Sequence, residues 1–211
     1  MRKIVFILFL LIAGPLIYAQ ELPHAFKTYL EGCQLMTKAI ETRDFATLTD
    51  AKLQFSHLRL TAFPIDILRP ADEESQSHIL PAKIYYTIAY ANDLIANKVF
   101  EIDDIKYAHM MRDEGDGEYD LQIWNASIEP RSKVTFTSLA LDDCEMMLYT
   151  PESDQLRLEV WDNSGKKVES VSFDSGRVWF AGWMMPDTPE SYRFSISNEG
   201  NKTATFVIAI N

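Results

Sequence analysis

Histidine and cysteine supply most biological nucleophiles, bases and metal ligands, and both are scarce: four and two, respectively, in 211 residues. His24, His57, His78 and His109 never stand four apart, and no H-E-x-x-H occurs. A zinc site of the metalloprotease type on one helix face is therefore excluded. No G-x-S-x-G elbow, Walker A loop or dinucleotide-binding glycine pattern is present, which removes the common hydrolase, nucleotide and Rossmann chemistries. Neither Cys33 nor Cys144 is embedded in a nucleophile signature. A glycosidase-like carboxylate pair escapes this exclusion. Such a pair is defined by its separation in space, and nothing in the sequence nominates two of the 31 acidic residues. No catalytic residue is named.

Long apolar runs are missing as well, after the first 19 residues. Those residues have three parts: basic Arg2 and Lys3, an uncharged run over 4–12 (IVFILFLLI), then Gly14 and Pro15, with Ala19 ahead of Gln20. This is the layout of a secretory signal peptide; the run is shorter than the ~20 residues of a membrane span. No cysteine follows it to accept a lipid. The expected product starts at Gln20, has no membrane span, and is a soluble periplasmic or extracellular bacterial protein. Positive charge is in deficit, 20 basic against 31 acidic side chains and a net charge of −11. A surface of that sign repels nucleic acid and anionic membranes. An oxidising compartment permits a Cys33–Cys144 disulfide. Both cysteines sit in apolar-patterned segments, and the preferred reading is two separate buried thiols.

What is present falls into two halves with different periods, an α+β arrangement. Phe26, Tyr29, Leu30, Cys33, Met36 and Ile40 recur at helical spacing. Asp44 can cap a second helix carrying Phe45, Leu48, Phe55 and Leu58. The short link between them predicts a helical hairpin. Residues 61–76, with Pro64, Pro70 and ADEESQS, read as a loop. A third helix is expected from about Pro81, with Ile84, Ile88, Ala91 and Ile95 on its buried side. The expected organisation is a signal peptide over 1–19, a helical domain over 20–104 and a β-sandwich domain over 105–211.

In the second half the period becomes two. Strands are predicted at 119–124, 133–141, 144–150, 156–162, 168–173, 177–183, 191–197 and 203–210, each edged by turn residues. Leu156, Leu158 and Val160 point one way; Arg157, Glu159 and Trp161 point the other. Strands this short and regular predict an antiparallel sandwich or jelly roll. The segments LRLEVWDNSGKKV (156–168) and WMMPDTPESYRFSISN (183–198), followed by a terminal strand, resemble the bacterial pre-peptidase carboxy-terminal domain over about 120–211. That resemblance implies a jelly-roll accessory module of a secreted protein, with no catalysis of its own.

Two groups of side chains are candidate sites. Trp179 and Trp183 share a strand face with Ala181, and Trp161 lies opposite the buried side of its strand. Exposed, these rings would make a stacking platform for sugars; the preferred reading is that they fill the sandwich core or the seam with the helices. The segment DEGDGEYD offers Asp113, Asp116, Glu118 and Asp120 as hard oxygen donors that suit calcium. Its spacing fails the EF-hand pattern, because counting from Asp116 puts Leu121 where glycine is required. A solvated acidic loop joining the two halves is the preferred reading, with no cofactor needed. The expectation is an exported, non-enzymatic binding or interaction protein whose partner is a glycan or an extracytoplasmic protein. The alternative is an extracytoplasmic hydrolase whose carboxylates meet only on folding. Oligomeric state is left open.

Overall fold

The computed structural model describes residues 22–62, 68–97, 99, 117–138, 144–151, 155–173, 178–183 and 192–211. The signal-peptide segment 1–19 and the loop residues Asp113 and Asp116 lie outside the described residues. Among the described residues no helix is long and apolar enough to cross a membrane.

Helix α1 runs His24–Thr42 and ends at Arg43, whose left-handed φ of 54° turns the chain. Helix α2 (Phe45–Ser56) starts at once, because the Asp44 side chain accepts the Ala46 N–H at 3.1 Å and caps it. The two form the expected hairpin. Gly32 and Phe55, equally far from the turn, meet so closely that a β-carbon at Gly32 would lie 2.6 Å from Phe55 Cε1.

The next segment is more than a loop. Strand β1 (Leu58–Ala62) is followed by β2 (Leu68–Pro70), the short helix α3 (Glu73–Ser77) and β3 (Ile79–Pro81). Pro70 and Pro81 are tolerated because β2 and β3 are outermost in their sheets. The third predicted helix begins later than expected: α4 spans Ile88–Ala96 with Thr87 as its cap. Residues before Thr87 stay irregular, since the Tyr86 N–H is held by Asn125 Oδ1 at 3.3 Å rather than entering a helical turn.

Eight longer strands follow: β4 (Tyr119–Ile128), β5 (Lys133–Ser138), β6 (Cys144–Tyr149), β7 (Leu156–Trp161), β8 (Lys167–Phe173), β9 (Val178–Trp183), β10 (Arg193–Asn198) and β11 (Ala204–Ile210). They pair in a nested way, β4 with β11, β5 with β10, β6 with β9 and β7 with β8. One long folded hairpin is thus wrapped into two sheets, a jelly-roll-like connectivity. Sheet A has the order β1-β4-β11-β6-β9, with β3 also on β4; sheet B has the order β2-β5-β10-β7-β8. The early segment is part of both. β1 pairs with β4 in parallel, and β2 extends β5. Gly117, just before β4, is required here: a β-carbon would fall 2.1 Å from the Leu58 carbonyl carbon.

Two cores result. Between the sheets lie Ile128, Phe136, Leu158, Phe173, Phe194 and Phe206. On the other face of sheet A, Phe26, Tyr29, Met36, Leu48 and Phe55 of the helices pack against Leu121, Met147, Tyr149 and Val207. Sheet A is the middle layer of three. Strand β11, covered on both faces, is buried at every position and reads as an apolar run; β7, with one face in water, alternates strictly. Cys33 is a free, buried thiol within the helical core; the Cys144 side chain lies outside the described residues.

Candidate functional site

The outer face of sheet B is where the structure gathers functional groups. Alternation points Arg157, Glu159 and Trp161 of β7 outward, and cross-strand register completes three rows. Trp161 stands between Arg193 and Lys167, Glu159 between Ser195 and Ser170, and Arg157 between Ser197 and Ser172. Lys133 of β5 adjoins the third row through Ser197.

Three cations surround the half-buried Trp161 ring. Arg193 Cζ is 5.0 Å from its centroid, Lys133 Nζ 5.1 Å and Lys167 Nζ 5.7 Å. Each such contact is worth ~0.5–1 kcal/mol at an exposed site. Glu159, with its side chain only 13% exposed, anchors the group: it bonds to Lys167 and lies 3.5 Å from Lys133 and 3.7 Å from Arg157. The Lys167 ammonium, helped by Lys133 and Arg157, holds the Glu159 carboxyl below the usual carboxylate range. Arg157 also reaches Glu199 at 3.9 Å, whereas Arg193 has no carboxylate partner among the described residues. Beneath this layer, Ser195 Oγ is fully buried without a hydrogen-bond partner among the described residues, although its register places it on the outer face. The long side chains cover the strand surface here while their charged ends remain open to water. The adjoining turn is ordered by Asp162, whose carboxylate accepts the Ser164 and Lys166 N–H groups at 3.0 Å, with Gly165 at φ 79°. These bonds hold the Asp162 carboxyl below its ordinary value, the Ser164 hydroxyl contributing most.

The other predicted site residues do not join it. Trp179 is buried in the sandwich interior with Leu148, Phe194 and Ile208. Being 8% exposed, it offers no face for stacking. Its strand faces the sandwich on that side, so the larger ring fills the core, correcting the platform expectation. The Trp183 side chain lies outside the described residues. Of the acidic segment, Glu118 is exposed and Asp120 pairs with Arg59 at 3.3 Å. Among the described residues no group of three His, Cys, Asp or Glu side chains is placed to hold a metal ion. His109 lies outside the described residues; His24 packs edge-on to Tyr119, and His78 Nδ1 meets Glu129 Oε2 at 3.0 Å.

Two other features are structural. A cavity of about 10 Å³ between the sheets is lined by Phe136, Met146, Leu158, Trp179 and other apolar side chains, at the lower limit for one water. At the seam of helices and sheet A, the Thr37 and Tyr86 hydroxyls are 3.0 Å apart and Tyr29 donates to the Tyr86 carbonyl at 3.3 Å. Burial pushes the Tyr29, Tyr149 and Cys33 ionisations well up, so this network is neutral.

Sequence reasoning placed Trp161, Arg157 and Glu159 on one face but missed Lys133, Lys167 and Arg193. Those come from three other strands, and only register, which no local pattern encodes, brings them to the ring.

No protein-family model matches the chain, and no curated protein does. Among solved structures, it is similar to the Drosophila melanogaster CENP-C cupin domain (TM-score 0.31, 14% identity, 41% of this chain and 57% of that one). Procruciferin, an 11S globulin from Brassica napus, gives a TM-score of 0.33 at 12% identity over 43% of this chain and 20% of that one. The Yersinia pseudotuberculosis-derived mitogen gives 0.32 at 10% identity over 43% and 84%. The chain spans little more than half the length of the CENP-C cupin domain. Likenesses of this size carry no argument about function; the fold description rests on the strand pairing itself.

Proposed function

We propose that this is an exported, non-enzymatic binding protein and that the outer face of sheet B around Trp161 is its binding surface. The observation that carries the reading is Trp161 itself: a half-buried ring on the solvent face of a sheet, ringed by Arg193, Lys133 and Lys167. Trp combines broad apolar area with a polar N–H and a low ordering cost, which suits it to recognition. The hydroxyl-bearing positions Ser170, Ser172 and Ser197 beside it suit a polyhydroxylated ligand such as a glycan.

The amino-terminal segment supports delivery to the periplasm or the cell exterior, where such ligands occur. The pre-peptidase carboxy-terminal domain, which the second half resembles, is a non-catalytic appendage of secreted enzymes and agrees with a binding role. Applied to a glycan array from Gln20 onward, the chain should bind at least one glycan class, and Trp161→Ala should abolish that binding while remaining folded. Binding that survives in Trp161→Ala would move the site elsewhere.

A further inference from the structure

The charge on this face differs from that of the molecule. The chain carries a net −11, yet Lys133, Arg157 and Lys167 converge here on one nearly buried carboxylate, Glu159, and Arg193 joins Lys133 and Lys167 around the Trp161 ring. In so acidic a protein a cluster of cations is not background. Glu159 is already shared among three of them, and Arg193 is left with only the ring.

A neutral sugar stacking on a tryptophan needs a bare ring face and hydroxyl partners. It gains nothing from three cations, each of which must be desolvated as the ligand approaches. An anion at the same place uses them directly, because hydrogen bonds between charged partners are about twice as strong as neutral ones. The cationic groups sit close together: Lys133 Nζ and Arg193 Cζ lie 5.1 and 5.0 Å from the Trp161 centroid, and Lys133, Lys167 and Arg157 all reach Glu159. An acid group entering beside the ring can meet more than one of them at once. Ser195 Oγ, buried and without a hydrogen-bond partner among the described residues, stands beside Glu159 in this cluster.

We propose that the ligand class read by this face is an anionic glycan, a polymer bearing carboxylate or sulfate groups, held through Arg193, Lys133 and Lys167 beside Trp161. This rests on the binding-surface reading above. Salt screens both the repulsion from the overall negative charge and the attraction at this face beyond a Debye length, ~10 Å at moderate salt. Recognition therefore rests on close contacts with the exposed cations and weakens as salt is raised.

The test uses matched probes: polygalacturonate and its fully methylated ester, then dextran sulfate and dextran, titrated into the chain from Gln20 onward. The expected result is binding of an acidic form, no binding of its neutral counterpart, and about tenfold weaker binding for each of Lys133→Gln and Arg193→Gln. Both positions are exposed, and unchanged thermal unfolding checks their folding. Carboxylate and sulfate are told apart by which acidic probe binds. Equal binding of charged and neutral forms, lost only in Trp161→Ala, would overturn the anionic class and leave the binding surface standing. No binding to either acidic probe would overturn the proposal too. So would a self-associated state dissolved by Lys133→Gln/Arg193→Gln, which would make a second, acidic copy of the chain the occupant of this face.

Discussion

Arg193 and Trp161 are direct cross-strand neighbours on β10 and β7, with the guanidinium carbon 5.0 Å from the ring centroid. The ring is held by cations on one side of the sheet and contributes nothing to the sandwich interior. Trp161→Ala should therefore cost only about 1.5–3 kcal/mol, the scale of its three exposed cation contacts. Trp179→Ala, which empties a core position, should cost about 3–5 kcal/mol. Urea unfolding of the two variants checks the order; a larger loss at Trp161 would contradict this placement.

Gly32 and Phe55 pack closely across the helical hairpin, leaving no room for a β-carbon at Gly32 unless Phe55 moves. Gly32→Ala should destabilise by about 1–3 kcal/mol, the usual cost of overpacking, despite alanine's better helix propensity. Phe55→Leu in the same chain should relieve part of that cost. Additive losses in the double variant would show that the two do not press on each other.

Below neutral pH, stability should fall in a defined window. Glu159 has its carboxyl lowered by Lys167 and the neighbouring cations, and the caps Asp44 and Asp72 are lowered by the hydrogen bonds they accept. A lowered carboxylate contributes stability above its unfolded value, near 4 for these groups, and loses it as pH falls through the lower folded value. Thermal unfolding should therefore be flat near neutrality and decline below about pH 4. Glu159→Gln should shrink that decline without removing it, since the helix caps remain. An identical acid profile in wild type and Glu159→Gln would remove Glu159 from the account.

Cys33 is fully buried, and burial raises its thiol well above the usual value. It should resist alkylation in the folded chain and react once urea unfolds it. Intact mass under non-reducing conditions should show no Cys33–Cys144 bond. The same measurement on the exported product should show the loss of residues 1–19.

The eight long strands were legible because each alternates or forms an apolar run edged by turn residues, and even the two-sided burial of β11 is visible in ATFVIAI. The first helix showed equally well through Phe26, Tyr29, Cys33 and Met36. The three-residue strands β2 and β3 were not legible, being too short to carry a period, and the prolines at their ends read as loop signals. Helix α4 was placed too early because Pro81 resembles a helix start, while the deciding contact, Tyr86 with Asn125, is 39 residues distant. For the site, outward Trp161 was readable from one strand, but its cations needed four strands in register. Core-filling was the preferred reading for Trp179, and its burial bears that out, although β9 carries large apolar residues on both faces.

The most direct test of the central claim is to measure any glycan bound by the chain against two surface variants side by side, Trp161→Ala on sheet B and Leu53→Ala on helix α2, where Leu53 is 57% exposed. The account predicts loss of binding in the first and unchanged binding in the second, with both folded. Retained binding in Trp161→Ala, or loss in Leu53→Ala, would contradict it.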